Sequence, residues 1–122
     1  MFVGIHSVDY IHFSKIARKP EFRSKILTSH EMKSLMLKSF PTRYIAMMYC
    51  AKIAFIKAMG GSASGCRMNE ISVLFDYNES PYISLLGRTK IRFEARKCKI
   101  SVSASYNKYT AEAIVLLYPV VK

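Results

Sequence analysis

A lysine followed within one helical turn by two glycines and a serine is a place where a chain can grip phosphate. Lys57 precedes Gly60-Gly61-Ser62 in this way, and a loop of such small residues lets backbone amides approach an anion. On residue type alone, Lys57 either contacts phosphate or runs its stem along apolar surface to reach water. Lys52 stands on the same apolar stretch and reads as a surface residue or a second ligand contact. His6 lies in a short apolar run. An imidazole, with an ordinary pKa of about 6.5, suits a general base, a ligand for a softer metal ion or a hydrogen-bonded cleft residue. The three cysteines, Cys50, Cys66 and Cys98, have no C-x-x-C spacing, which points to structural thiols in a reducing compartment.

The charge narrows the partners. Nineteen Lys and Arg against eight Asp and Glu give a net charge of +11, so nucleic acid, phosphorylated small molecules, anionic lipid and acidic proteins all qualify. Much of the excess sits early, in His12, Lys15, Arg18, Lys19, Arg23 and Lys25, which reads as a solvated face or a docking surface. A hydrophobic content of 51% excludes a disordered chain. The most apolar helical stretch, Tyr44 to Met59, is interrupted by Lys52 and Lys57 and is too short for a membrane span. No secretory leader pattern opens the sequence, so a cytoplasmic protein is expected. The 122 residues fit a single domain, 1–122.

The elements that must position these residues follow from periodicity. Phe2 to Val8 reads as a strand, and Asp9 begins an amphipathic helix with Ile11, Phe13 (or Ser14) and Ile16 inward, ended by Pro20. Thr28-Ser29-His30-Glu31 is a capping box opening a helix with Met32, Leu35 and Met36 on its core face. Pro41-Thr42 opens the next helix, apolar nearly all round and therefore buried, with Gly60-Gly61 as its stop. Met47, Met48 and Met59 belong to the same core. Strands are expected at 70–75 and 82–86, a helix in preference to a strand at 89–97, a half-buried strand at 100–105 and an apolar strand from Ala111 to Val121. Helices gathered early and antiparallel strands late make an α+β fold.

Four ordered segments resemble one known family. Gly4-Ile5-His6-Ser7-Val8-Asp9 parallels G-I-D-[IL]-V-[ED], and Ile26-Leu27-Thr28-Ser29-His30-Glu31 parallels I-L-T-P-x-E. Tyr49-Cys50-Ala51-Lys52-Ile53-Ala54 and Lys57-Ala58-Met59-Gly60 parallel F-A-A-K-E-A and K-A-x-G. Val102-Ser103-Ala104-Ser105-Tyr106 parallels V-S-[LI]-S-H, and Ser80-Pro81-Tyr82 matches K-P-[YF]. The chain thus resembles the holo-acyl-carrier-protein synthases over its whole length. These are small 4′-phosphopantetheinyl transferases that move the arm of coenzyme A onto a serine of acyl carrier protein with Mg²⁺.

The resemblance implies an α+β homotrimer with active sites between subunits. It assigns coenzyme A contacts to Lys52, Lys57, Gly60, Gly61 and Ser62, and carrier-protein contacts to His12, Lys15, Arg18 and Arg23. It also places His6 at the metal-binding aspartate, Ile53 at the second acid and Tyr106 at the histidine of the S-H motif. His6 and Tyr106 therefore occupy the catalytic positions, and the Mg²⁺ ligands are not retained, since magnesium requires oxygen donors. Two functions compete with transfer: a non-catalytic paralogue that binds coenzyme A or carrier protein, and a small nucleic-acid-binding domain. The latter fits the charge, but no binding motif appears and the aromatics fall at core-like positions, so neither nucleic acid nor membrane is an expected partner.

Overall fold

The first strand, β1 (Phe2–Asp9), ends in a residue that also starts a helix. In the computed structural model, which describes residues 1–120, Asp9 Oδ1 accepts from the amides of Ile11 and His12 and caps α1 (Tyr10–Ala17). Aspartate is favoured there because the first amides of a helix have no intrahelical partner. Phe13 and Ala17, four residues apart, face the core, whereas Ile11 and Ile16 are exposed. The expected inward face was too wide for a helix of two turns. Pro20 ends α1 and also opens α2 (Pro20–Ile26), a helix that periodicity does not reveal; proline is tolerated in a first turn, where its missing amide would be unpaired.

The capping box forms as expected. Thr28 Oγ1 accepts from the Glu31 amide and Glu31 Oε1 from the Thr28 amide, at the start of α3 (Ser29–Leu35). Glu31 and Leu35 point inward, while Met32 and Met36 are exposed, the latter at 84%. The short helix therefore presents a carboxylate to the core and its methionines to water.

The long helix α4 (Pro41–Ala58) supplies the centre of the molecule, with Ile45 to Met48, Cys50 to Lys52, Ala54, Phe55 and Ala58 buried. It crosses the inner face of a three-stranded antiparallel sheet, ordered β1–β5–β4, with β4 (Cys98–Tyr106) and β5 (Thr110–Pro119) joined by a tight turn. The expected end of β5, Val121, lies outside the described residues. Contact between helix and sheet requires Gly4, where an added Cβ would lie 1.7 Å from the Ala54 carbonyl oxygen. Gly60 and Gly61, at φ 116° and 78°, end the helical path as expected. A separate hairpin pairs β2 (Ile71–Phe75) with β3 (Pro81–Leu85). The segment expected at 89–97 is the helix α5 (Gly87–Glu94), its first turn held by Glu70, which accepts from Thr89 Oγ1 at 2.8 Å and from the Arg88 amide.

Strand register sorts the sheet into two faces. Gly4 and His6 stand opposite Val115 and Ala113, which stand opposite Val102 and Ala104 on the other side. This face meets α4. The other face carries Val3, Ile5, Ile114 and Leu116 beside Ser101 and Ser103, and Val3, Ile5 and Ile114 are exposed. The architecture is α+β.

Candidate functional site

Tyr49, Ile53 and Lys57 recur every four residues and so share one stripe of α4. His6 faces this stripe. Its ring lies edge-on to Tyr49 with centroids 5.9 Å apart. The Lys57 ammonium sits 3.1 Å from His6 Nδ1 and donates to the Ile5 carbonyl at 2.9 Å. Because Tyr49 and Lys57 flank Ile53 by one turn on either side, the stripe opposite His6 passes through Ile53. The two positions where an acid pair was the family expectation thus oppose each other and carry an imidazole and an isoleucine.

That hydrogen bond fixes what His6 can do. An ammonium only donates, so Nδ1 accepts and the proton of the neutral ring resides on Nε2. Burial, and then the Lys57 charge, hold the His6 pKa below its ordinary 6.5. The ring is therefore neutral at neutral pH and offers an Nε2–H, a donor to an anionic oxygen. A general base would need a free lone pair, and the one lone pair of this tautomer is occupied. The base role expected for His6 is thus replaced by a donor role.

His6, Val8, Asp9, His12, Phe13 and Tyr49 line an open groove of about 270 Å³. Asp9 is its carboxylate, and sequence reading passed over it as a site residue. Its Oδ1 caps α1, and its Oδ2 lies 3.2 Å from His12 Nδ1. The backbone amide of His12, first among several hydrogen bonds, holds the Asp9 carboxyl below the usual carboxylate range. A resident Mg²⁺ does not fit these residues. Magnesium takes octahedral oxygen ligands, and the groove offers one carboxylate already engaged, an imidazole and apolar side chains. Among the described residues no three His, Cys, Asp or Glu side chains gather where they could hold a metal ion.

Lys52 departs most from expectation. It is fully buried, its Nζ within 2.5 to 2.8 Å of the Ile26, Met68 and Ile71 carbonyls and Glu31 Oε1. Glu31 Oε2 in turn accepts from the Val73 amide at 2.8 Å. Burial pushes the Lys52 pKa down, opposed by the Glu31 charge. Neither a surface position nor coenzyme A contact suits a side chain whose donors are all spent inside. Its visible signal was the capping-box glutamate, a carboxylate on a helix that must bury one face.

The remaining expected residues fall in three places. Gly60, Gly61 and Ser62 form the exposed to half-buried loop directly after α4, with a 3-10 turn over Gly61–Ser64. Tyr106 is exposed at the far edge of the sheet, under the Arg43 guanidinium at 5.2 Å. It lines a separate recess with Tyr44, Glu79 and Ser105. Within one chain the structure brings His6 to Lys57 and does not bring Tyr106 to either. On the docking side His12, Lys15 and Arg18 are exposed. Arg23 is half-buried and donates from Nε to the Ala17 carbonyl at 2.6 Å, tying α2 to α1. Cys50 is buried, its thiol pushed up to about 12 by burial, and all three cysteines are free. No helix among the described residues is long and apolar enough to cross a membrane.

Comparison with known proteins gives this geometry a lineage. The chain is 36% identical over 99 residues to the holo-[acyl-carrier-protein] synthase of Chlorobaculum tepidum, covering 80% of each protein. It is 31% identical over 118 residues to that of Alkaliphilus metalliredigens, covering 93% of this chain and 96% of the relative. Among solved structures, a holo-(acyl-carrier-protein) synthase from Bacillus anthracis in complex with CoA (3′,5′-ADP) superposes with a TM-score of 0.80 at 25% identity, over 98% of this chain and 96% of that one. The Neisseria meningitidis enzyme, at 23% identity, shares the fold with a TM-score of 0.84 over 95% and 96% of the two chains. With residues 3–112 matching the 4′-phosphopantetheinyl transferase superfamily profile, a chain whose acid positions hold His6 and Ile53 nonetheless belongs to that superfamily, among the holo-acyl-carrier-protein synthases.

Proposed function

We propose that this chain binds coenzyme A and acyl carrier protein and transfers 4′-phosphopantetheine to a carrier serine, slowly and without a resident divalent cation. The observation that carries this reading is the pairing of Lys57 with His6. Two of the three Lys57 donors are held by Ile5 and His6, which leaves the third, together with the His6 Nε2–H, for the oxygens of a diphosphate. Fixed cationic donors of this kind neutralise charge that phosphoryl transfer would otherwise assign to a metal. In the reaction the serine oxygen bonds to the pantetheine-side phosphorus, the phosphoanhydride bond breaks, 3′,5′-ADP departs and the serine proton passes to solvent. With Nδ1 occupied, His6 takes no part in removing that proton. The rate is correspondingly far below that of a metal-loaded site.

A complete site requires a second copy of the chain. Tyr106 lies across the sheet from His6, and a neighbouring subunit can bring its own Tyr106 to the His6 groove. The uncovered apolar face of Val3, Ile5 and Ile114 is the surface on which such copies would pack. Relatives crystallised with coenzyme A, from Bacillus anthracis and Helicobacter pylori, support the choice of ligand. A transfer assay with coenzyme A and apo-carrier protein, run in EDTA and in Mg²⁺, tests the reading. The expected result is a slow transfer equal in both; fast transfer that vanishes in EDTA would contradict it.

A further inference from the structure

Two histidines, His6 and His12, border the same groove, and charges of opposite sign hold them in opposite tautomers. The Lys57 ammonium donates to His6 Nδ1, so that ring keeps its proton on Nε2. His12 meets a carboxylate instead, with Asp9 Oδ2 at 3.2 Å from its Nδ1. A carboxylate only accepts, so His12 Nδ1 carries the proton and Nε2 is left with a free lone pair. One ring is a donor and the other an acceptor.

Asp9 is itself fixed. Its Oδ1 accepts from the Ile11 and His12 amides, so the carboxylate cannot turn away without uncapping α1. Those bonds also favour its ionised form. Backbone and ring of His12 thus lean on the two oxygens of one carboxylate, which sets the orientation of the imidazole. The ring is otherwise exposed and open to a group entering the groove.

His12 also stands between the two substrates. The diphosphate belongs beside Lys57 and His6, whereas Lys15 and Arg18, further along the same helix, are exposed cations suited to an acidic carrier. A serine presented over α1 reaches the groove past His12. Its proton has no acceptor in His6, whose Nδ1 is occupied. We infer that His12, positioned by Asp9, is the general base that takes the proton from the carrier serine. This rests on the transfer reading of the site. As the serine oxygen bonds to the pantetheine-side phosphorus, its proton moves to His12 Nε2. The phosphoanhydride bond breaks with its electron pair on the departing 3′,5′-ADP. The imidazolium, stabilised by the Asp9 charge, then releases the proton to solvent. The family resemblance gives His12 a carrier contact, a role that would weaken docking when lost and leave the chemistry alone.

A transfer assay with coenzyme A and apo-acyl carrier protein, with kcat and KM separated, tests the assignment. His12→Gln should lower kcat at least about 100-fold, the lower end of what a positioned base contributes. Its coenzyme A affinity in calorimetry should be unchanged, which also shows that the variant is folded. Asp9→Asn keeps its carbonyl oxygen on the α1 amides and turns its NH₂ toward His12, which forces the ring proton onto Nε2. Its kcat should fall as in His12→Gln, and the double variant should lose little more. Nitrogen-15 magnetic resonance, which needs no activity, should find neutral His12 protonated on Nδ1 in the native chain and on Nε2 in Asp9→Asn. A raised carrier KM at unchanged kcat in His12→Gln, or a native His12 protonated on Nε2, would overturn the assignment alone. A native chain without transfer would overturn the transfer reading, and this inference with it.

Discussion

At the residue scale, His6 is the point where sequence and structure differ most usefully. Its position in the strand was legible, as was its place opposite an apolar Ile53. Its chemistry was not, because which ring nitrogen is free depends on a lysine 51 residues away. Burial and the Lys57 charge disfavour the imidazolium in the fold. As the pH falls from about 6.5, the unfolded chain takes up that proton first, so His6 contributes a loss of stability from there downward. Nuclear magnetic resonance titration should find the His6 midpoint below 6.5, moving toward it in Lys57→Met; a midpoint above 6.5 in the native chain would contradict the pairing. Lys52 teaches the opposite lesson. Its match to a family motif was plain, but its partners come from Ile26, Glu31, Met68 and Ile71, which no local pattern connects to α4. Lys52→Met leaves Glu31 charged and buried, with an expected loss of about 3–5 kcal/mol in urea unfolding. Lys52→Met/Glu31→Leu removes both charges but also unpairs the Thr28 and Val73 amides, so its loss should fall short of the sum of the two single losses, a non-additivity that marks a coupled pair. Additive losses would show that the two side chains act separately.

At the element scale, α4, β1, β5 and the capping box of α3 could be read from the sequence because each has a strong local signature. The errors lie in the short helices. Two turns of α1 or α3 bury only one or two residues, so apolar Ile11, Ile16, Met32 and Met36 stay outside without disturbing the fold. The helix α2 has no apolar period of its own and is fastened by Phe22 against Phe13 and by Arg23 on the Ala17 carbonyl. Arg23 is thus partly a structural residue, and the free charge of this region belongs to Lys15 and Arg18. If carrier protein docks here, Lys15→Glu/Arg18→Glu should slow its association in stopped-flow measurements. The native on-rate should itself fall with salt, since such charges are screened over roughly 8–10 Å. An unchanged on-rate would move docking to another surface.

At the scale of the whole molecule, an apolar outer sheet face and a divided set of site residues point the same way. Val3, Ile5 and Ile114 leave a surface that a small isolated domain would be expected to cover, and Tyr106 and His6 lie too far around the sheet to act together in one chain. Light scattering should find a trimer. Ile5→Lys/Ile114→Lys should give a monomer that keeps its helical circular dichroism and loses transfer. A native monomer at micromolar concentration would remove the argument for sites between subunits. Assembly of this kind was implied by the family resemblance, whereas the separation of Tyr106 from His6 emerges only once the strand order β1–β5–β4 is known.

Binding of coenzyme A without a divalent cation tests the reading of the site most directly. Calorimetric titration of the native chain in EDTA and in excess Mg²⁺ should give the same affinity, because Lys57 and His6 supply the charge and no oxygen ligands converge. His6→Asp/Ile53→Glu, which restores two carboxylates on facing elements, should make binding Mg²⁺-dependent where neither single change does. Native binding that is abolished by EDTA and restored by Mg²⁺ would contradict the cationic site and favour the Mg²⁺-dependent transfer that the family resemblance implies.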